Sequence, residues 1–332
     1  MNKKVLLIGG AGFIGFNTTK ALVEKGGVNI TIADNFFRGK MDHELRALVE
    51  KNNVRIISAD FTKPESFQEL EKDYDYVYML ASVVGVEYTS KIPQELIRIN
   101  SFLILNTLEW LKNSKCKKVL FTSTSECYAG TIEAFNYPVP TTELVPLCIN
   151  DISNPRFTYA VTKMLGESGF IQYSKAFGFE CTIIRYHNVY GPRMGFKHVI
   201  PQVVMRFLKD ENPFKIYGFN QTRAFNYIDD AVHGTIDAME KPNTNGEIFH
   251  VGDMRSEITI EELVLYIGEL LNYSGPYFKE GIHSGSVSRR CPDTSKAARV
   301  FGYSPKTGWK AGVKKTVEWY KAYIEAGKDV FE

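Results

Sequence analysis

Tyr159 and Lys163 stand four residues apart, which on a helix puts one above the other on the same face. A tyrosine titrates near pH ~10, too high for a base at neutral pH. An ammonium one turn away favours the phenolate and lowers that value. Thr124 ends a strand read from residue 118, in the run Ser123-Thr124-Ser125-Glu126. It offers a hydroxyl at the carboxyl end of a strand, where ligands sit in open α/β sheets. Together these residues form a proton-abstracting device, with Ser125 and Glu126 as further catalytic candidates. The same Tyr/Lys spacing also fits an amphipathic helix with a surface tyrosine and a solvated lysine. The rest of the chain has to decide.

The amino-terminal stretch supplies what such a device needs. Val5 to Ile8 is a continuous apolar run, as in a strand buried on both faces. It enters Gly9-x-x-Gly12-x-x-Gly15, with Phe13 and Ile14 inside the motif, and then a helix over 17–25. Strand, glycine turn and helix in this order cradle a pyrophosphate at the positive end of the helix. A second strand, 29–33, ends at Asp34, nineteen residues beyond Gly15 and followed by Asn35. A carboxylate there accepts hydrogen bonds from an adenosine ribose diol and repels a 2′-phosphate, which favours NAD over NADP. Arg38 and Lys40 soften that preference or form a solvated turn. Further buried strands are read at 54–59, 76–80 and 119–122, alternating with helices at 64–72 and 95–113. That alternation implies parallel strands with right-handed crossovers. Asp60 and Phe61 close the third strand where an adenine fits. Leu80, Ala81 and Ser82 close the fourth beside the middle of the cofactor.

Composition excludes several classes of partner. The 40 Lys+Arg against 38 Asp+Glu leave no basic field for nucleic acid or an anionic membrane. Five scattered cysteines form no metal or disulfide pattern, so no metal is expected. No apolar run approaches the ~20 residues of a membrane helix, and Gly9-Gly10 cut short the only signal-like start. The expectation is a cytoplasmic enzyme with an α/β, doubly wound parallel sheet over 1–189 and a smaller α/β substrate domain over 190–332. The strand at 247–251 is a candidate to rejoin the main sheet. Residues 135–155 read as a proline-rich loop over the site, and Gly178 as the cap of a helix over 159–177. Beyond residue 190, helices are read at 199–208, 259–271 and 309–326, with a strand at 214–217. Val199, Ile216 and Tyr217 are candidates to border a nucleotide base.

These marks resemble the extended short-chain dehydrogenase/reductases that modify nucleotide sugars: the glycine motif, Asp34, Asp60, Thr124, Tyr159-x-x-x-Lys163, Asn188, Gly191-Pro-Arg193 and Arg223-Ala-Phe. The runs at 34–37, 123–126 and 221–225 are most similar to UDP-glucuronate decarboxylases, and Thr-Ser-Glu also occurs in GDP-mannose 4,6-dehydratases. Cys127-Tyr128-Ala129-Gly130 and residues 83–88 depart from the decarboxylase pattern and leave the sugar open. The resemblance implies NAD-dependent oxidation of the sugar at C4, followed by epimerisation, dehydration or decarboxylation, in surface polysaccharide precursor synthesis. It implies Tyr159 as base, Lys163 and Thr124 as its helpers, and Glu126 as a second base. Ser125 stands where dTDP-glucose-type dehydratases place an aspartic acid. Asn188, Arg193, Arg223 and Arg290 are expected to hold the nucleotide diphosphate. A homodimer through the helices at 95–113 and 159–177 is implied too, with Leu103, Leu105, Leu108, Leu165 and Phe170 as their apolar residues. Release of the 4-keto sugar, with the hydride kept on the cofactor, is an alternative outcome. A non-catalytic NAD-sensing protein is the alternative from another class.

Overall fold

A computed structural model describes residues 2–281 and 288–327. Its centre is a seven-stranded sheet, parallel throughout. The first six strands in chain order are β1 (Lys3–Ile8), β2 (Val28–Asp34), β3 (Arg55–Ser58), β4 (Tyr76–Met79), β5 (Lys118–Thr124) and β6 (Glu180–Tyr186). Across the sheet they run β3, β2, β1, β4, β5, β6, and the strand Glu247–Val251 forms the far edge against β6. The order reverses between β1 and β4. At such a switch point the chain leaves neighbouring strands in opposite directions and opens a crevice at their carboxyl ends.

Successive side chains of a strand point to opposite faces, and β1 feeds two cores in this way. Val5 and Leu7 join the core that also holds Ile32, Tyr78 and Ile184; Leu6 and Ile8 join the one with Val77, Phe121 and Ile183. The helices Phe13–Lys25 and Ile228–Glu240 pack together, as do Pro93–Lys112 and Thr158–Phe177. The Thr158–Phe177 helix ends at Gly178, whose φ of +81° is the left-handed geometry of a helix stop. Of its expected interface residues and those of its neighbour, Leu103, Leu108 and Phe170 lie in the core, while Leu105 and Leu165 face outward.

A division at residue 190 does not match the packing. Residues 228–251 return to the large layer, and one core runs on through Ile200, Phe214, Leu263 and Tyr320. The smaller part contains the helices Val199–Leu208, Ile260–Leu270 and Trp309–Glu325 and a three-stranded sheet ordered Glu257–Thr259, Thr222–Ala224, Arg289–Arg290. The helices His43–Asn52 and Ile228–Glu240 are additional to the expected ones; Leu45, Leu48 and Val49 of the first and Ile228, Val232, Ile236 and Met239 of the second pack into the core. The helix expected over 64–72 is a single 3₁₀ stretch, Pro64–Glu69, stopped by an extended Leu70.

Gly166 lies where the Thr158–Phe177 helix crosses β5, and a Cβ there would overlap the Phe121 ring. At Gly169 the nearest atom is Leu108 Cδ1 at 2.8 Å, the end of a flexible side chain. Gly166→Ala should therefore cost about 1–3 kcal/mol by overpacking, and Gly169→Ala clearly less. Denaturant midpoints of the two variants measure the difference.

Candidate active site

One cleft of about 750 Å³ opens over the carboxyl ends of β1, β2, β4 and β5, at the switch point. Its floor is the glycine turn. Gly9 has φ +86°, and a Cβ on it would lie 2.5 Å from Ala81 N. A Cβ on Gly15 would lie 2.5 Å from Gly10 Cα. Glycine at both positions lets the turn close tightly against β4 and lets the Phe13–Lys25 helix begin directly at the cleft. Phe13 and Ile14 line the cleft with it.

Asp34 ends β2 at one side of this floor. Its carboxylate accepts from Ala11 N at 2.9 Å and Phe36 N at 2.8 Å. Burial pushes its pKa up, and the two backbone donors oppose that. Asn35, Asp60, Phe61, Leu80, Ala81 and Ser82 also line the cleft. The Asp60 carboxylate is taken up locally by Thr62, from its N–H at 3.0 Å and its hydroxyl at 2.8 Å. A cradle that side chains would fill, with a carboxylate beyond it, fits a dinucleotide.

The catalytic candidates meet at the other side. Thr124, Glu126, Tyr159 and Lys163 line the cleft together. The Lys163 ammonium donates to the Thr122 carbonyl at 2.8 Å and sits 5.6 Å from the centre of the Tyr159 ring. Burial lowers its pKa to about 8. Burial also pushes the Tyr159 phenol up, Cys127 adds to this, and Arg38 opposes it. In the chain by itself, burial outweighs the expected help from Lys163.

Several expected positions need correction. Ser125 is buried beneath the turn that follows β5 and does not line the cleft. Ile216 lies in the core, 1% exposed, and Tyr217, next along the strand, is 43% exposed; neither lines the cleft. Arg193 does line it, but its guanidinium is committed to the cofactor side. It pairs with Asp42 at 2.7 Å and donates to the carbonyls of Ala11 (3.2 Å) and Lys40 (3.1 Å). Asn188 and Val199 line the cleft beside it.

Glu126 and Arg290 meet each other. Arg290 holds the Glu126 carboxylate with two donors, one at 3.0 Å and one shorter. Arg156 approaches the same carboxylate at 3.7 Å. Burial works to raise the Glu126 pKa, but Arg290, Arg156 and Arg223 hold it below the ordinary range. A carboxylate so held is a weak base. Burial, and then Arg290, lowers the Arg223 pKa to about 9. The cleft also holds residues that were not expected to act there: Arg38, Arg156, Lys197 and His198. Arg156 could have been noticed, standing one helical turn before Tyr159. His198 carried no local signal.

The model of the NAD dependent epimerase/dehydratase family matches residues 5–252. The chain belongs to that family. It is an NAD-dependent enzyme with the Rossmann-type sheet of the extended short-chain dehydrogenase/reductases. Among curated relatives it is 34% identical to the UDP-N-acetyl-alpha-D-glucosaminuronate decarboxylase of Bacillus cytotoxicus, covering 97% of this chain and 98% of that one. It is 29% identical to the UDP-glucuronate 4-epimerase of Thermodesulfobacterium geofontis, covering 98% of each. Among solved structures it matches a variant UDP-glucuronic acid 4-epimerase of Bacillus cereus, in complex with UDP-4-deoxy-4-fluoro-glucuronic acid and NAD. There the TM-score is 0.85 at 26% identity, over 96% of this chain and 99% of that one. Among the described residues, no helix is long and apolar enough to cross a membrane, and no group of three or more His, Cys, Asp or Glu could hold a metal ion.

Asp34 generates a prediction about the cofactor of this family member. The wild type should bind NAD more tightly than NADP, and Asp34→Ala should weaken NAD binding and narrow the gap. Titrating both cofactors into both proteins measures it. NADP binding at least as tight as NAD in the wild type would contradict the role given to Asp34.

Proposed function

We propose that the protein oxidises C4 of a sugar carried on a nucleoside diphosphate, UDP being the nucleotide shared by the relatives' names, with Tyr159 as the base. The observation that carries this reading is the convergence of Tyr159, Lys163 and Thr124 on the same cleft as the glycine turn and Asp34. Tyr159 takes the proton of the sugar 4-hydroxyl, and Thr124 hydrogen-bonds the same oxygen. NAD⁺, when bound, would supply the acceptor for the C4 hydrogen as hydride and a positive charge that favours the phenolate. Lys163 uses one N–H on the Thr122 carbonyl and has two more donors to turn toward the ribose side of the cleft. Arg223, Arg290 and Asn188 receive the diphosphate, with Arg290 released from Glu126 or shared with it. A guanidinium fork suits phosphate oxygens. From the resulting 4-ketone, hydride return to its other face gives the 4-epimer, the acidified C5 hydrogen allows dehydration, and a C6 carboxylate, β to the ketone, can leave as carbon dioxide. A cytoplasmic setting agrees with the five unpaired cysteines.

The proposal extends to assembly. Ile97, Leu105, Val161 and Leu165, each 38–43% exposed, belong to two helices that pack side by side. Such an apolar face suits a second copy of this chain, closing a four-helix bundle. The double variant Leu105→Arg/Leu165→Arg should run as a monomer in light scattering at micromolar concentration, where the wild type runs as a dimer or a multiple of one.

Tyr159→Phe tests the chemistry, because it keeps the ring and removes the hydroxyl. Turnover of a UDP-sugar panel should fall by about 10²–10⁴-fold or more, while NAD binding survives. With substrate deuterated at C4, the label should reach the cofactor in the wild type. Near-normal turnover in the variant would remove Tyr159 as the base, and label from another carbon would move the reaction away from C4.

A further inference from the structure

Residues 191–198 join the short strand Val189–Tyr190 to the helix Val199–Leu208, and they are fastened at two points. Near one end the Arg193 guanidinium pairs with Asp42 at 2.7 Å and donates to the carbonyls of Lys40 and Ala11. Lys40 and Asp42 follow β2, and Ala11 belongs to the glycine turn itself. Near the other end the Lys197 ammonium pairs with Glu87 at 2.8 Å and lies 5.3 Å from the centre of the Tyr88 ring. Glu87 and Tyr88 belong to the helix Val86–Lys91, which follows β4.

The order of the sheet says what lies between these anchors. β1 sits between β2 and β4, and the glycine turn follows β1. A segment fastened beyond β2 at residue 193 and beyond β4 at residue 197 therefore crosses above that turn. The lengths agree, since two strand spacings come to about 9.6 Å and four residues of chain reach about 14 Å at most. Met194, Gly195, Lys197 and His198 line the same cleft as Gly9, Gly12 and Gly15. The gap is crossed a second time by Phe37, after β2, whose ring meets that of Tyr88 with centres 6.2 Å apart. A dinucleotide with its diphosphate on the glycine turn is thus covered at its middle.

We propose that Lys197 and Glu87 are positioning residues that hold residues 191–198 closed over the bound cofactor, and that NAD enters and leaves at their end of the loop. The two anchors differ in how readily they part. The side chains of Arg193 and Asp42 are 5% and 8% exposed, and backbone carbonyls brace the arginine. Those of Lys197 and Glu87 are 33% and 34% exposed, where water and salt weaken an ion pair. The Arg193 end is therefore the hinge and the Lys197 end the latch. Lys91 also pairs with Glu87, at 2.7 Å, but it lies on the same helix as Glu87 and cannot fasten the loop.

The rate at which the cofactor leaves tests this. Protein loaded with radiolabelled NAD is chased with unlabelled NAD at low salt, and the label still bound is followed by rapid filtration. Glu87→Gln and Lys197→Gln should each release NAD about two- to five-fold faster than the wild type. The charge exchange Glu87→Lys/Lys197→Glu should bring the rate back toward the wild type, which loss of an unrelated contact would not do. Lys91→Gln should release NAD no faster than the wild type. Unfolding midpoints of all the variants should stay together, which separates a latch from a general loosening. Equal release from the wild type and both single variants would overturn the proposal. So would faster release that the charge exchange leaves uncorrected. Faster release from Lys91→Gln would overturn it too, because Glu87 would then act through its own helix and not through the loop.

Discussion

The hydrogen bond from Lys163 to the Thr122 carbonyl, 2.8 Å long and buried, fixes the geometry on which the site depends. It ties the helix that carries Tyr159 to the strand that carries Thr124, so the two side chains proposed to act on the substrate share one frame. The bond forms only because the helix lies unusually close to β5. Gly166, one turn beyond Lys163, makes room for the Phe121 ring, and Phe121 stacks on Phe170 of the same helix at 4.7 Å between ring centres. Behind them Arg185 and Glu167 pair inside the protein, and Ser123 donates to the same carboxylate. The active face of the helix is thus held from below by apolar packing and by a closed polar network.

The same closeness explains an electrostatic cost. A lysine buried deeply enough to reach Thr122 loses hydration, and its pKa falls to about 8. Tyr159 suffers the reverse effect, since burial favours the neutral phenol. Position and charge state therefore pull against each other. The fold secures the first, and the charge that favours the phenolate has to come from what enters the cleft.

What could be read from the sequence follows from how far apart the interacting residues are. The glycine turn, Asp34 and the Tyr159–Lys163 pair work within single turns or one β-α-β step, so their spacing carries their geometry. The pairing of Arg290 with Glu126 joins residues 164 positions apart, and no local pattern announces it. Ser125 failed for a simpler reason. It follows Thr124 directly, where the chain tightens into a 3₁₀ turn, so one side chain lines the cleft and the next is buried. Ile216 failed by strand alternation, which sends it into the core and Tyr217 out to solvent. Arg193 belongs to a recognisable motif, but its partners at residues 11, 40 and 42 come together only once the sheet has formed.

Charge in the cleft and in the layer beneath it, where Arg223, Arg290 and Glu133 lie outside the lining, is divided by location. On the adenosine side, Asp34 is held by backbone donors, while Arg193 is neutralised by Asp42 and backbone carbonyls, so that side offers a carboxylate and closed polar contacts. Near the catalytic pair, Arg156, Arg223 and Arg290 crowd around Glu126, with Glu133 touching Arg156 at 3.5 Å. Three guanidinium groups against those two carboxylates leave a positive excess; burial first, and then Arg290, lowers the Arg223 pKa. An anionic ligand relieves that excess by adding the missing negative charge. Binding energy would then come from discharging repulsion already built into the protein, which favours a doubly charged diphosphate over a neutral ligand of the same size.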